Sequence, residues 1–273
     1  MTRANEFPNP SLDRRTLLRN GGLALSLGAL AAACGDDIGG PDDPGRLGVA
    51  APLPPLPDAE LNDGVLLRTA QSLEYTAIAV YDAAAGLDVL SRDQLALVGR
   101  FVEDHQRHAA DLGALASRVG AEEFTCPNPF LMERAVEPIL GALDGSDDLL
   151  RDVLNIAYVF ETLAGRSYQA LVAALSDPSL RTASILIGSE EQRHAAVLAA
   201  AINPDDLVHP DLLGEEEEDD GDGIPSYYAI PAVFGQLTGI ELVVGARDDE
   251  GARFSTILQT PAANSFVYDY VDC

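Results

Sequence analysis

One phrase occurs twice in this chain, and the distance between its copies sets the fold. His105-Gln106-Arg107-His108-Ala109-Ala110 returns as Glu191-Gln192-Arg193-His194-Ala195-Ala196. Upstream of each copy lies a second match: Glu74 precedes Tyr81 by seven residues, as Glu161 precedes Tyr168. Glu74 and Glu161 are 87 residues apart, and His108 and His194 are 86 apart, so the two halves keep register. A period this long, with two long segments per copy, predicts a duplicated helical hairpin.

Composition agrees. Hydrophobic residues make up 47% of the 273, enough to fill a core, while Trp is absent and aromatics are 6%. A chain rich in Ala and Leu favours close-packed helices over a sheet sandwich. Leu67, Ala70, Leu73, Ala77, Ile78 and Tyr81 recur at helical spacing, which predicts a first helix over Leu61 to Gly86. Further helices are expected over Ser91–Gly120, Asp148–Ser176 and Ser179–Ala201, the third stopped by Asp177-Pro178. The first and last pairs are tightly joined. Residues 120–146 lie between the pairs, with a short helix expected over Phe130–Leu143. Two antiparallel hairpins and one long crossover describe a mainly α four-helix bundle.

The repeated polar residues fall on the buried faces of these helices. Positions three apart share a helix face, so Glu191 pairs with His194 and His105 with His108. Glu74 and Glu161 sit inside apolar stripes, where an unpaired carboxylate is costly. Glu74, His105, His108, Glu161, Glu191 and His194 therefore form a candidate metal site, with a metal-free buried hydrogen-bond network as the alternative. Tyr81 and Tyr168 read as core fillers.

These residues resemble the ferritin-like superfamily. Its di-iron and di-manganese members carry one Glu on helices one and three and Glu-x-x-His on helices two and four. Glu74 and Glu161 match the single glutamates, and Glu191-Gln192-Arg193-His194 matches the helix-four motif in full. The likeness spans Leu61 to Ala201 and implies one or two Fe or Mn ions reacting with oxygen or peroxide. Helix two departs from the pattern, with His105 where the family has Glu. Three carboxylates instead of four leave two divalent ions with a net positive charge, and imidazole bridges metals poorly. An asymmetric binuclear site, a single-ion site and a degenerate site all follow from that change. Asp104 is a substitute in distance, but the repeat register sets it beside Glu190. Glu103 lies further off the face.

The termini add a setting. Arg14 and Arg15 precede an apolar run from Gly21 to Ala33, too short to span a bilayer. This resembles a twin-arginine export signal, an ordinary secretory signal being the alternative. Leu30-Ala31-Ala32-Ala33-Cys34 resembles a bacterial lipobox with Ala31 where Leu is commoner. An Ala-x-Ala peptidase site would cut at the same bond, and either route makes Cys34 the first mature residue. Residues 1–33 are thus read as an export signal, 34–57 as a flexible tether, 58–204 as the bundle, 205–225 as an acidic loop and 226–273 as a β-rich extension. The signal and extension look like those of exported bacterial ferritin-like proteins related to plant desiccation-related proteins.

With Cys34 lipidated, Cys126 and Cys273 remain as a pair for an oxidising compartment, or as two free thiols. The net charge of −27 repels nucleic acid and anionic lipid headgroups, and removing residues 1–33 makes it more negative. The expected partner is the cell membrane, reached through the lipid at Cys34. A membrane tether and a terminal sheet argue against a closed storage cage. Asp220-Gly221-Asp222-Gly223 fits a calcium loop only until its twelfth position, which falls on Ala229, so a solvated acidic loop is expected. Strands are expected over Ile240–Val244, Phe254–Gln259 and Phe266–Tyr270. Two functions follow: an exported metalloprotein, or a non-enzymatic envelope protein using the bundle as a scaffold for stress protection.

Overall fold

Four long helices carry the molecule, and each begins where the sequence supplies a cap. A computed structural model describes residues 60–202, 240–258 and 265–273. The export signal, the tether, Cys34 and the acidic loop lie outside these residues. Helix α1 spans Asp63–Ala85, and its N-cap Asn62 accepts from the Val65 amide. Helix α2, Arg92–Arg118, opens with a capping box between Ser91 and Gln94. Helix α5, Leu149–Ala174, is capped by Asp148, and α6, Pro178–Ile202, starts at a proline that needs no amide partner there. Pro178 therefore opens the fourth helix; the third has already ended at Ala174.

α1 packs along α2, α5 along α6, and α1 also contacts α5. The crossover holds a helical turn α3 (Pro129–Leu131), a π-helical turn (Met132–Val136) and α4 (Glu137–Ala142). Inserting one π turn accommodates a short helix whose Leu131, Val136 and Ile139 all reach the core. Asn128 fixes the start of this segment. Its side-chain Nδ2 donates to Ser72 Oγ at 2.9 Å and to the Ser265 carbonyl at 2.8 Å.

The extension is a two-stranded antiparallel sheet, β1 (Ile240–Val244) and β2 (Phe254–Leu258), with Val244 opposite Phe254. Gly245, in the left-handed region at φ 89°, ends β1 against the Ala142 carbonyl. Its amide donates to the buried Asp152 carboxylate at 2.7 Å. The strand expected at Phe266–Tyr270 is not formed. That segment is irregular, with a turn at Asp269–Tyr270, and it bonds to α1 instead of a neighbouring strand: the Val267 amide donates to Thr69 Oγ1 at 2.8 Å. Buried Arg68 donates to the Glu122 and Val271 carbonyls, both at 2.9 Å. Cys126 and Cys273 are joined as a disulfide, with Cα atoms 5.6 Å apart.

The core has two apolar compartments. One gathers Val80, Phe101, Ile139, Val159, Leu198 and the strand residues Leu242 and Val244. The other gathers Leu66, Leu112, Tyr168, Leu171, Leu180 and the tail residues Phe266 and Tyr268. A layer of buried polar side chains separates them.

Candidate metal centre

That polar layer contains all six candidate ligands, drawn from four helices. Glu74 comes from α1, His105 and His108 from α2, Glu161 from α5, and Glu191 and His194 from α6. Each is buried, and Glu191 is fully sealed from solvent. Helical spacing achieves this: one residue per turn from each helix points inward at the same height.

His105 lies at the centre. Its Nδ1 is 2.8 Å from Glu74 Oε2 and its Nε2 is 3.1 Å from Glu161 Oε1. Burial disfavours a charged ring, but the Glu161 and Glu191 carboxylates outweigh it and push His105 well above the usual histidine range. As an imidazolium it donates to both glutamates. Burial opposes ionisation of Glu74 as well, yet the hydrogen bond from His105 and the nearby charges of His105 and His108 hold it at about 2. Glu161 is lowered too, against burial, chiefly by the charge of His105.

The other two histidines form a matched pair. His108 Nε2 faces Glu190 Oε2 at 2.8 Å, and His194 Nε2 faces Asp104 Oδ2 at 3.3 Å. Each outer nitrogen thus has a carboxylate, which orients the ring and turns Nδ1 toward the centre. Arg107 ties the two outer carboxylates together, 2.5 Å from Asp104 and 2.5 Å from Glu190. Burial works against the charged ring in both, but the surrounding glutamates raise His108 to about 10 and His194 to about 9.

Glu191 is the exception. It stands 2.7 Å from His108 Nδ1 and 3.4 Å from His194 Nδ1. Neither of its oxygens makes a hydrogen bond, nor does His108 Nδ1, because these approaches lack hydrogen-bond geometry. Burial, then the neighbouring Glu74 charge, pushes it up to about 7. A sealed carboxylate whose oxygens meet only histidine ring nitrogens, at ion-pair distance and outside hydrogen-bond geometry, could serve as a metal ligand.

The donors form two overlapping sets, Glu74–His105–His108–Glu191 and His105–Glu161–Glu191–His194, each with ligand atoms within 4.8 Å of one another. Two ligands on one ion, at bonds of about 2.0–2.2 Å, stand at most about twice that apart. His105 and Glu191 belong to both sets, so either set could hold an ion, with His105 serving only one of them at a time. Buried Glu and His groups that could hold a metal are therefore present.

Tyr81 and Tyr168 are buried in the core as expected, and each also makes a polar contact that the sequence reading did not assign. Tyr81 donates its hydroxyl to Glu161 and Tyr168 donates to Glu74, each reaching from one hairpin to the other. Their offset of 87 residues, equal to that of the glutamates, was the available signal. Asp104 and Glu190 occupy equivalent positions, as the register implies, but their pairing with the opposite hairpin's histidine is visible only in three dimensions. Phe101 was also missed; its ring stacks on His194 with centroids 4.0 Å apart.

Neither a curated protein nor a solved structure matches the chain. The family model for the ferritin-like domain matches residues 62–204, the four helices and the crossover between them. That match covers more than half of the sequence, and the chain belongs to the ferritin-like domain family.

Proposed function

We propose that this protein is an exported, lipid-anchored ferritin-like metalloprotein with a centre for one or two Fe or Mn ions. The observation that carries the reading is Glu191: wholly buried, without a hydrogen bond, and common to both donor sets. When bound, such ions supply redox chemistry with oxygen or peroxide. The protein's own groups do the rest. Glu74, Glu161 and Glu191 would provide negative charge, Nδ1 of neutral His108 and His194 would provide the nitrogen ligands, and the Asp104 and Glu190 carboxylates would accept hydrogen bonds from the outer Nε2–H groups. The aromatic rings of Tyr81 and Phe101 close the layer on one side. Anaerobic titration with Fe(II) or Mn(II), read by elemental analysis, should give about one to two ions per chain. Glu191→Ala should abolish that uptake while the helical circular dichroism is retained. No uptake by the wild type in reducing, metal-replete buffer would sink the reading.

A second reading has its own observation. The layer already satisfies most of its charge internally, since His105 bridges Glu74 and Glu161. A metal-free bundle serving as an envelope scaffold or stress-protection protein is consistent with that. The same titration separates the two.

Export and anchoring rest on Arg14, Arg15 and Cys34. Among the described residues no helix is long and apolar enough to cross a membrane, so the proposed anchor is the lipid. Several acyl chains on one residue anchor stably where one does not. Cys34→Ala should move the protein to the soluble fraction or block its processing, and replacing Arg14 and Arg15 by Lys should retain precursor inside the cell. A Cys34→Ala variant that is processed normally and stays in the membrane fraction would overturn the anchor.

A further inference from the structure

An apolar cavity of about 40 Å³ lies where α1 ends and α2 begins. All four long helices contribute to its wall, with Tyr81, Phe101, Ala157 and Leu198 among them. Those four are buried, whereas the wall residues Leu90 and Gln94 are partly exposed, so the space runs inward from the surface. The two polar side chains on it are engaged elsewhere. Tyr81 donates to Glu161, and Gln94 Oε1 accepts from the Ser91 backbone amide at 2.8 Å.

Size and chemistry select the guest. A water needs roughly 10–15 Å³ and two to four polar partners, and this wall supplies the room without the partners. Benzene fills an engineered cavity of about 150 Å³, well above this one. What remains is a molecule of one or two heavy atoms without hydrogen-bonding groups. Position adds meaning. Phe101, on the cavity wall, stacks on His194, and Tyr81, also on the wall, is bonded to Glu161 and lies 5.7 Å from His105, ring centroid to ring centroid.

We propose that this cavity binds one small apolar molecule, the size of dioxygen or a xenon atom, a single aromatic layer from the carboxylate–histidine layer. Binding rests on the cavity alone; a role in staging a gaseous reactant rests on the metal reading above. Both ring contacts mean that occupancy is felt at Glu161 and His194 without the guest touching either.

The test uses the full chain without metal, under xenon pressure, followed by NMR. Saturable shifts are expected for the Tyr81, Phe101 and Ala157 protons. Phe124, which packs under Arg68 in the tail-docking region, should not move. Ala157→Leu fills the space and should abolish the xenon shifts while leaving metal uptake at the wild-type level. Should that variant fail to fold, as circular dichroism would reveal, Val98→Ile narrows the same cavity from α2 and should weaken xenon binding several-fold. An absence of saturable shifts in the wild type, or equal shifts in the wild type and a folded filled variant, overturns the proposal. Because xenon binding is read without metal, its failure leaves the metal reading standing, and failure of metal uptake leaves the xenon result standing.

Discussion

At the level of single residues, His105 decides what the centre can be. It occupies the position equivalent to Glu191, and both donor sets include it. Without metal it serves as a cation between Glu74 and Glu161; as a ligand it must give up a proton and can offer one nitrogen to one ion. His105→Glu would supply a fourth carboxylate with two oxygens. We expect that variant to fill closer to two ions per chain than the wild type and to bind them more tightly, measured by competition with a chelator. Equal stoichiometry and affinity would show that imidazole is no handicap there. Tyr81→Phe removes one hydroxyl from Glu161 but leaves that carboxylate its contacts with His105 and His194. It should retain metal and lose about 1–3 kcal/mol of stability in a denaturant titration. The ligand types were legible in the sequence because burial, spacing and duplication all marked the same six residues. The tyrosines, Asp104 and Phe101 were not, since their partners sit on the other hairpin and periodicity within one helix carries no such information.

Among the elements, the α5–α6 pair is the closest. A side chain at Gly188 would place its Cβ 2.7 Å from Tyr168 Cβ, so the two helices meet where only hydrogen fits. That approach sets Tyr168 at the depth from which it reaches Glu74. Gly188→Ala gains helix propensity, but the clash should dominate and cost about 1–3 kcal/mol, read as a lower melting temperature. A rise in melting temperature would mean that the helices separate freely. Helix number, order and the long crossover followed from periodicity and caps, with ends displaced by one or two residues. β1 was expected at the bounds observed, and β2 to within one residue. The third strand failed for a physical reason: Phe266–Tyr270 has strand-like residues, but Thr69 and Arg68 on α1 offer its backbone polar groups partners before any strand does. Sequence pattern shows that a segment wants to be extended, not what it will pair with.

For the whole molecule, the Arg68 contacts hold the tail against α1, while the Cys126–Cys273 disulfide ties it to the crossover and closes a loop of 147 residues. A loop of that length corresponds to about 4–5 kcal/mol in the chain-entropy model. Reduction should lower the melting temperature and increase amide exchange across residues 265–273 first, as mass spectrometry after deuteration would show. A reduced protein with unchanged exchange in the tail would assign the docking to Arg68 alone. The two apolar compartments divided by the polar layer have a different consequence, one of cooperativity. Neither compartment touches the other through hydrocarbon alone where the glutamates and histidines intervene, so the molecule has a seam across which unfolding can stop. Ions that draw ligands from all four helices would stitch that seam. The loaded bundle should then melt in one calorimetric transition and the stripped bundle in two, with the van't Hoff enthalpy falling below the calorimetric one only in the second case.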